Sequence, residues 1–169
     1  MSDERSSQLT GVAGVHYVAA LLSYLGFHAV PTTRNVAGPD LLISNLNGSK
    51  SLSMQVKTTV WAMRTRGRGE DKKPHHCEWD IGWGSARANY KSLFFALVDL
   101  KEFTELPTVF VVPSNVIFKY FDGGDPKTWT RARYHPEIHE IEPYKNNWDL
   151  LRAELVEEQP NEIPPNQAL

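Results

Sequence analysis

The chain has 169 residues, 41% of them hydrophobic, and a formal net charge of −2, which is enough for one domain with a real core. No apolar run is long enough to span a bilayer, and the polar start "MSDERSSQ" is not a secretory signal. The single cysteine, Cys77, excludes an intramolecular disulfide and a Cys-rich zinc site. A cytoplasmic protein that needs no membrane is expected. The near-neutral total hides segregation: residues 64–73 hold five basic and two acidic side chains, and residues 154–162 hold four acids and no base.

Residues 1–9 are expected to be a flexible N-terminus. "GVAGVHYVAALLSYLG" predicts a helix, with Val15, Val18, Ala19, Leu22 and Leu25 on one apolar stripe. Thr10 is its expected N-cap and Gly26 its left-handed terminator. "FHAV" (27–30) reads as a first strand, and two more strands flank Asn47-Gly48. Residues 60–92 have no clear period and read as a long irregular excursion with some local structure, holding Trp61, Trp79 and Trp83. "SLFFALVDL" (92–100) and "TVFVVP" (108–113) are continuous apolar runs, as expected of strands buried on both faces. "PSNVIFKYF" predicts a helix capped by Ser114. Residues 143–155 predict a closing helix with Tyr144, Trp148 and Leu151 inward. Residues 156–169 are acidic and Pro-containing and predict a disordered tail. The order is that of an α/β domain over residues 10–155, with a mixed sheet and packed helices. No phosphate-binding glycine motif is present.

The hairpin carries the chemistry. If Asn47-Gly48 form a two-residue type I′ turn, facing residues sum to 95. Leu41 then faces Met54, Ile43 faces Leu52, and Asp40 faces Gln55. Side chains alternate faces, so Leu41, Ile43, Leu52, Met54 and Val56 form a core face. Asp40, Leu42, Ser44, Ser51, Ser53, Gln55 and Lys57 form the other. A carboxylate and an amide oxygen side by side can contribute two ligands to Mg²⁺ or Mn²⁺. An adjacent ammonium can act on an attacking water or on developing phosphoryl charge. Metal-assisted phosphodiester hydrolysis uses these parts. A plain structural reading is that Lys57 neutralises Asp40 as a cross-strand pair.

"GPD" followed after fourteen residues by "QVK" resembles the PD-(D/E)XK nuclease superfamily, with its restriction-endonuclease-like fold. The similarity runs through "GVHYVAALLSYLGFHAVPTTRN", "LFFALVDL" and "PTVFVVPSNVI", about residues 10–120. Through "ARYHPEI" and "YKNNWDLL" it extends to a bacterial group with a Q-x-K variant of the motif. The resemblance implies an αβββαβ core, with Asp40 and Gln55 as metal positions and Lys57 as the catalytic lysine. It implies a DNA endonuclease whose Mg²⁺ or Mn²⁺ binds weakly without substrate. Two positions depart from the pattern. Gln55 replaces the second acid, as in Mrr-like restriction nucleases, and the first helix lacks the Glu that many members carry near Val15 and His16. The other reading is therefore a non-catalytic relative that binds nucleic acid or a protein partner. DNA is the expected partner, with a second copy of the chain as a further option.

Arg64, Arg66, Arg68, Lys72 and Lys73 are candidates for tracking DNA phosphates, with the intervening glycines letting the loop follow a groove. His75, His76 and Cys77 form a soft-ligand cluster, but adjacent residues rarely ligate one ion together. His135 and His139 are four apart without the Glu of H-E-x-x-H. His16 could stand in for the missing helix acid, or only hydrogen-bond at the sheet edge. The three tryptophans of the excursion could stack bases or pack beneath the loop.

Overall fold

Helix α1 spans Ser7–Tyr24 and buries Gly14, Val18 and Leu22. Val15, Ala19 and Leu25 pack around the same cluster, so the predicted stripe is the buried face. The helix begins before Thr10, which lies within it and is not its cap. It ends as expected at Gly26, at φ +89. The Gly26 N–H bonds the Ser23 carbonyl and the Phe27 N–H the Leu22 carbonyl, the paired pattern that closes a helix through a left-handed residue. The computed structural model describes residues 7–32, 38–124 and 127–156. The rest of the expected flexible start (1–6) and of the tail (157–169) lies outside the described residues.

Strands β1 (His28–Pro31), β2 (Leu41–Ser44) and β3 (Ser51–Thr59) follow. The chain then makes β4 (Met63–Arg66), β5 (Lys73–Cys77), β6 (Trp79–Asp80) and the short α2 (Trp83–Ala86) before β7 (Leu93–Asp99) and β8 (Thr108–Pro113). Helix α3 (Ser114–Tyr120), β9 (Arg133–Tyr134), α4 (Ile138–Ile141) and α5 (Asp149–Leu155) complete the order. The central sheet has five strands in the order β1-β2-β3-β7-β8. All its pairs are antiparallel except β3–β7. This is the mixed α/β sheet with flanking helices expected from the sequence.

The parallel pair explains the excursion. Parallel neighbours need a crossover of about a dozen residues or more, and residues 60–92 are that crossover. The stretch carries the local structure expected of it, in short regular pieces. β4 and β5 form an antiparallel hairpin. β6 pairs with β9. The glycines at 67 and 69 serve the β4–β5 turn, at φ +114 and +56. A Cβ on Gly67 would meet the Asp71 carbonyl oxygen at 2.4 Å.

Each sheet face has its own core. α1 and α5 cover one face, with Val18, Leu22, Leu41, Ile43, Met54, Trp148 and Leu151 among its buried residues. The crossover, α3 and residues 132–144 cover part of the other, burying Trp79, Ile81, Phe95, Leu97, Phe110 and Ile117. α1 approaches β3 closely at Gly14, where a Cβ would lie 1.9 Å from Thr58 Oγ1.

Two further expectations are corrected. Ser114 does not cap α3. Its Oγ donates to the Tyr90 carbonyl and accepts from the Tyr90 N–H, tying the entry of β7 to the end of β8. The closing helix is shorter than 143–155. Glu142–Tyr144 form a short 3-10 helix, and Asn146 takes φ +48. The Asn146 N–H bonds the Val109 carbonyl, and Lys145 bridges to Phe110. The chain here satisfies the edge of β8, and that competes with helix formation. Trp148 and Leu151 still point into the first core, while Tyr144 packs against the second.

Cys77 ends β5 and is buried. Burial, then the charges of Asp99 and Glu142, push its thiol up to about 11. A thiol raised above its unfolded value of about 8.5 stabilises the fold fully below that pH. The contribution is lost as pH rises toward the folded value, by about 1 kcal/mol per pH unit. Urea midpoints should therefore fall between about pH 8.5 and 10, and Cys77→Ala should flatten that fall. Tyr134, also raised by burial, adds the same sign of dependence above about pH 10. A midpoint equally steep in Cys77→Ala would show that this thiol is not the cause.

Candidate active site

The hairpin register is the predicted one: Leu41 faces Met54, Leu42 faces Ser53, Ile43 faces Leu52 and Ser44 faces Ser51. The turn is not. Gly48 alone is left-handed, at φ +73, and Asn47 is not, whereas type I′ needs both. The Gly48 N–H bonds the Asn45 carbonyl, and Asn45 N–H bonds the Lys50 carbonyl. The loop is therefore 46–49. Its centre is that of a loop at 47–48, so the facing sum of 95 survives. The Asn45 side chain carries part of the turn, with Oδ1 accepting from Lys50 N–H and Nδ2 donating to Ser49 Oγ.

This register sets Asp40, Gln55 and Lys57 on one face, the face that carries Phe95 and Leu97 on the neighbouring β7. The crossover covers β7 and β8 but leaves β1 and β2 open: Val30 is 59% and Leu42 50% exposed. The three polar side chains sit at this boundary, and each is half-buried. Asp40 Oδ2 accepts from Gln55 Nε2 and, at 2.7 Å, from the Val56 N–H. The carboxylate thus continues the ladder beyond the end of β2, which fixes its direction. Gln55 turns its amide nitrogen toward Asp40. Presenting Oε1 to a cation instead requires rotating the amide about its last torsion.

Burial pushes the Lys57 ammonium below the ordinary lysine value, opposed by the charges of Asp40 and Asp80. Asp80 enters from β6 and pairs with Arg131 at 3.9 Å. Neither residue was a sequence candidate. Only the tertiary path of the crossover brings the two together, and no local spacing signals it.

The five candidate basic residues lie on the β4–β5 hairpin. Arg64 is held by the protein: Nη1 donates to the Trp61 and Met63 carbonyls, and Nη2 lies 3.7 Å from Glu78. Arg66 reaches His75. Arg68, Lys72 and Lys73 are exposed at or beside the turn. His75 and His76 bond each other through Nδ1, and Cys77 is buried away from solvent. His135 pairs with Glu78 and His139 with Glu137. His16 is exposed on α1. Among the described residues no group of three or more His, Cys, Asp or Glu could hold a metal. Trp79 is buried, Trp83 packs edge-on against Phe121, and Trp61 is 44% exposed. No described helix is long and apolar enough to cross a membrane.

The fold is that of a mixed α/β protein with a five-stranded central sheet flanked by helices. No family model matches the chain, and no curated protein matches it. Among solved structures the chain is similar to a bacterial homing endonuclease, I-Ssp6803I, with a TM-score of 0.58 and 14% identity. The match covers 89% of this chain and 94% of that one. At that identity the likeness defines the fold.

Proposed function

We propose that the chain is a metal-dependent DNA endonuclease of the PD-(D/E)XK type. The observation that supports this most is the placing of Asp40, Gln55 and Lys57 together on the open sheet face. Asp40 and Gln55 supply hard oxygen donors on adjacent strands, and there are no soft ligands beside them. That donor set fits Mg²⁺ or Mn²⁺ retaining waters and taking further oxygens from a substrate phosphate. Such a cation, when bound, would polarise a phosphoryl oxygen and acidify a water.

The chain's own residues do the rest. Asp40, anchored by the Val56 N–H, holds its carboxylate toward the open face. Gln55 rotates to present Oε1. Lys57 Nζ, partly desolvated, can take the proton of an attacking water in its neutral form or donate to a phosphoryl oxygen as ammonium. Arg66, Arg68, Lys72 and Lys73 lie on one exposed hairpin that could grip DNA backbone. Arg64 is better placed to hold that hairpin than to reach a phosphate.

The second reading, a non-catalytic domain binding nucleic acid or protein, draws support from the Gln55–Asp40 hydrogen bond. It satisfies the carboxylate without a cation. Cleavage of supercoiled plasmid with Mg²⁺ and Mn²⁺, together with Mn²⁺ calorimetry, separates the two. Gln55→Glu should lower metal-free stability, because two carboxylates then face each other. It should bind Mn²⁺ roughly tenfold more tightly, about 1.4 kcal/mol, and keep or raise cleavage. Equal, negligible affinity in both proteins with no cleavage by either would leave the second reading.

A further inference from the structure

We propose that the groove lined by Tyr120, Trp129, Arg131, Arg133 and His135 binds the phosphate backbone of the nucleic acid beside the Asp40–Gln55–Lys57 site. This rests on the nuclease reading and names a second surface for that substrate, apart from the β4–β5 hairpin. The groove encloses about 590 Å³.

Its basic side chains, two guanidiniums and a histidine whose pKa burial lowers, alternate with buried residues. Arg131, Arg133 and His135 are exposed, while Ala132, Tyr134 and Pro136 between them are buried. The Arg133 N–H bonds the Arg131 carbonyl at 3.2 Å, so a tight turn leads into β9 with both arginines on the exposed side of the chain and His135 two residues further on. The row is held rigidly. Arg133 pairs with Asp80 across β9 and β6, the Ile81 N–H bonds the Ala132 carbonyl, and the His135 N–H donates to Tyr120 Oη. Arg131 pairs with Asp80 at 3.9 Å, and Asp80 lies on β6, which packs against β3, the strand that carries Gln55 and Lys57.

The local charge balance is positive. Glu78 serves Arg64, Arg133 and His135, and Asp80 serves Arg131. The groove lining itself holds two guanidiniums and no carboxylate. Each guanidinium has five N–H donors, and one ion pair uses one or two, which leaves donors for phosphate. Trp129, 47% exposed, and Tyr120 form an aromatic wall on which sugars or bases can lie.

The test is fluorescence anisotropy with labelled duplex and single-stranded DNA in EDTA, so that cleavage plays no part. Arg131→Gln with Arg133→Gln should weaken binding at least tenfold. It should also reduce the slope of log affinity against log salt by about 1.8, two phosphates' worth on duplex. Arg131→Lys with Arg133→Lys should retain most of both, which separates charge from folding. Inorganic phosphate at matched ionic strength should not displace the DNA. If it does so through these arginines, the groove is a small-anion site and the proposal falls. Wild-type slope and affinity in the Gln variant would also overturn it, whatever the cleavage result. Groove-dependent binding by a wild type that never cleaves would sustain the groove and remove the nuclease reading.

Discussion

Lys57→Ala should lower DNA cleavage at least a hundredfold, the lower end of what a positioned acid–base group contributes, while DNA binding stays near wild type. Lys57 is one pleat beyond Gln55 on the same face and partly desolvated beneath the crossover. Its loss removes an ammonium that interacts with Asp40 without removing the groove arginines or the hairpin cations. Lys57→Arg separates its two roles. A guanidinium keeps the charge but does not give up a proton. If Nζ handles the proton of water, Arg fails as completely as Ala. If it only stabilises phosphoryl charge, Arg restores part of the rate. Plasmid cleavage measured beside anisotropy reads this directly. Wild-type rates in Lys57→Ala would remove the residue from the chemistry.

Trp79→Ala should destabilise the fold by about 3–5 kcal/mol, the range for deleting a buried Phe or Trp side chain. Trp79 is 2% exposed, packs edge-on against Phe110, and donates Nε1 to the Val98 carbonyl at 3.0 Å. It fastens the crossover to β7, and Asp80 follows it directly. Against a typical total of about 5–15 kcal/mol, the loss is large enough to detach β6 and β9 from the sheet. Trp79→Phe keeps much of the ring and forfeits the hydrogen bond, costing about 1–2 kcal/mol for that bond. Trp61→Ala, at a partly exposed site, should change stability by about 0.5 kcal/mol or less. Urea unfolding of the three variants sets the order. A Trp79→Ala midpoint near that of Trp61→Ala would show that the crossover does not depend on this anchor.

The sequence by itself determined the parts governed by local periodicity. The stripe of α1 and the two faces of the hairpin follow from periods of 3.6 and 2, and β7 and β8 from continuous apolar runs buried on both faces. The register was legible even though the turn type was not, because loops of two and four residues share a centre. The side-by-side placing of Asp40, Gln55 and Lys57 was therefore available before any coordinates. Only the tertiary structure decided what surrounds it. The hairpin β4–β5 is short, polar and glycine-punctuated, so it shows no core-facing period. Asn146 left the helix because the edge of β8 needed backbone partners, and Ser114 clamped Tyr90 instead of capping. Asp80 and Arg131 are fifty-one positions apart. They meet because a parallel β3–β7 pair forces a long crossover, which packs back over the sheet through Trp79 and pairs β6 with β9.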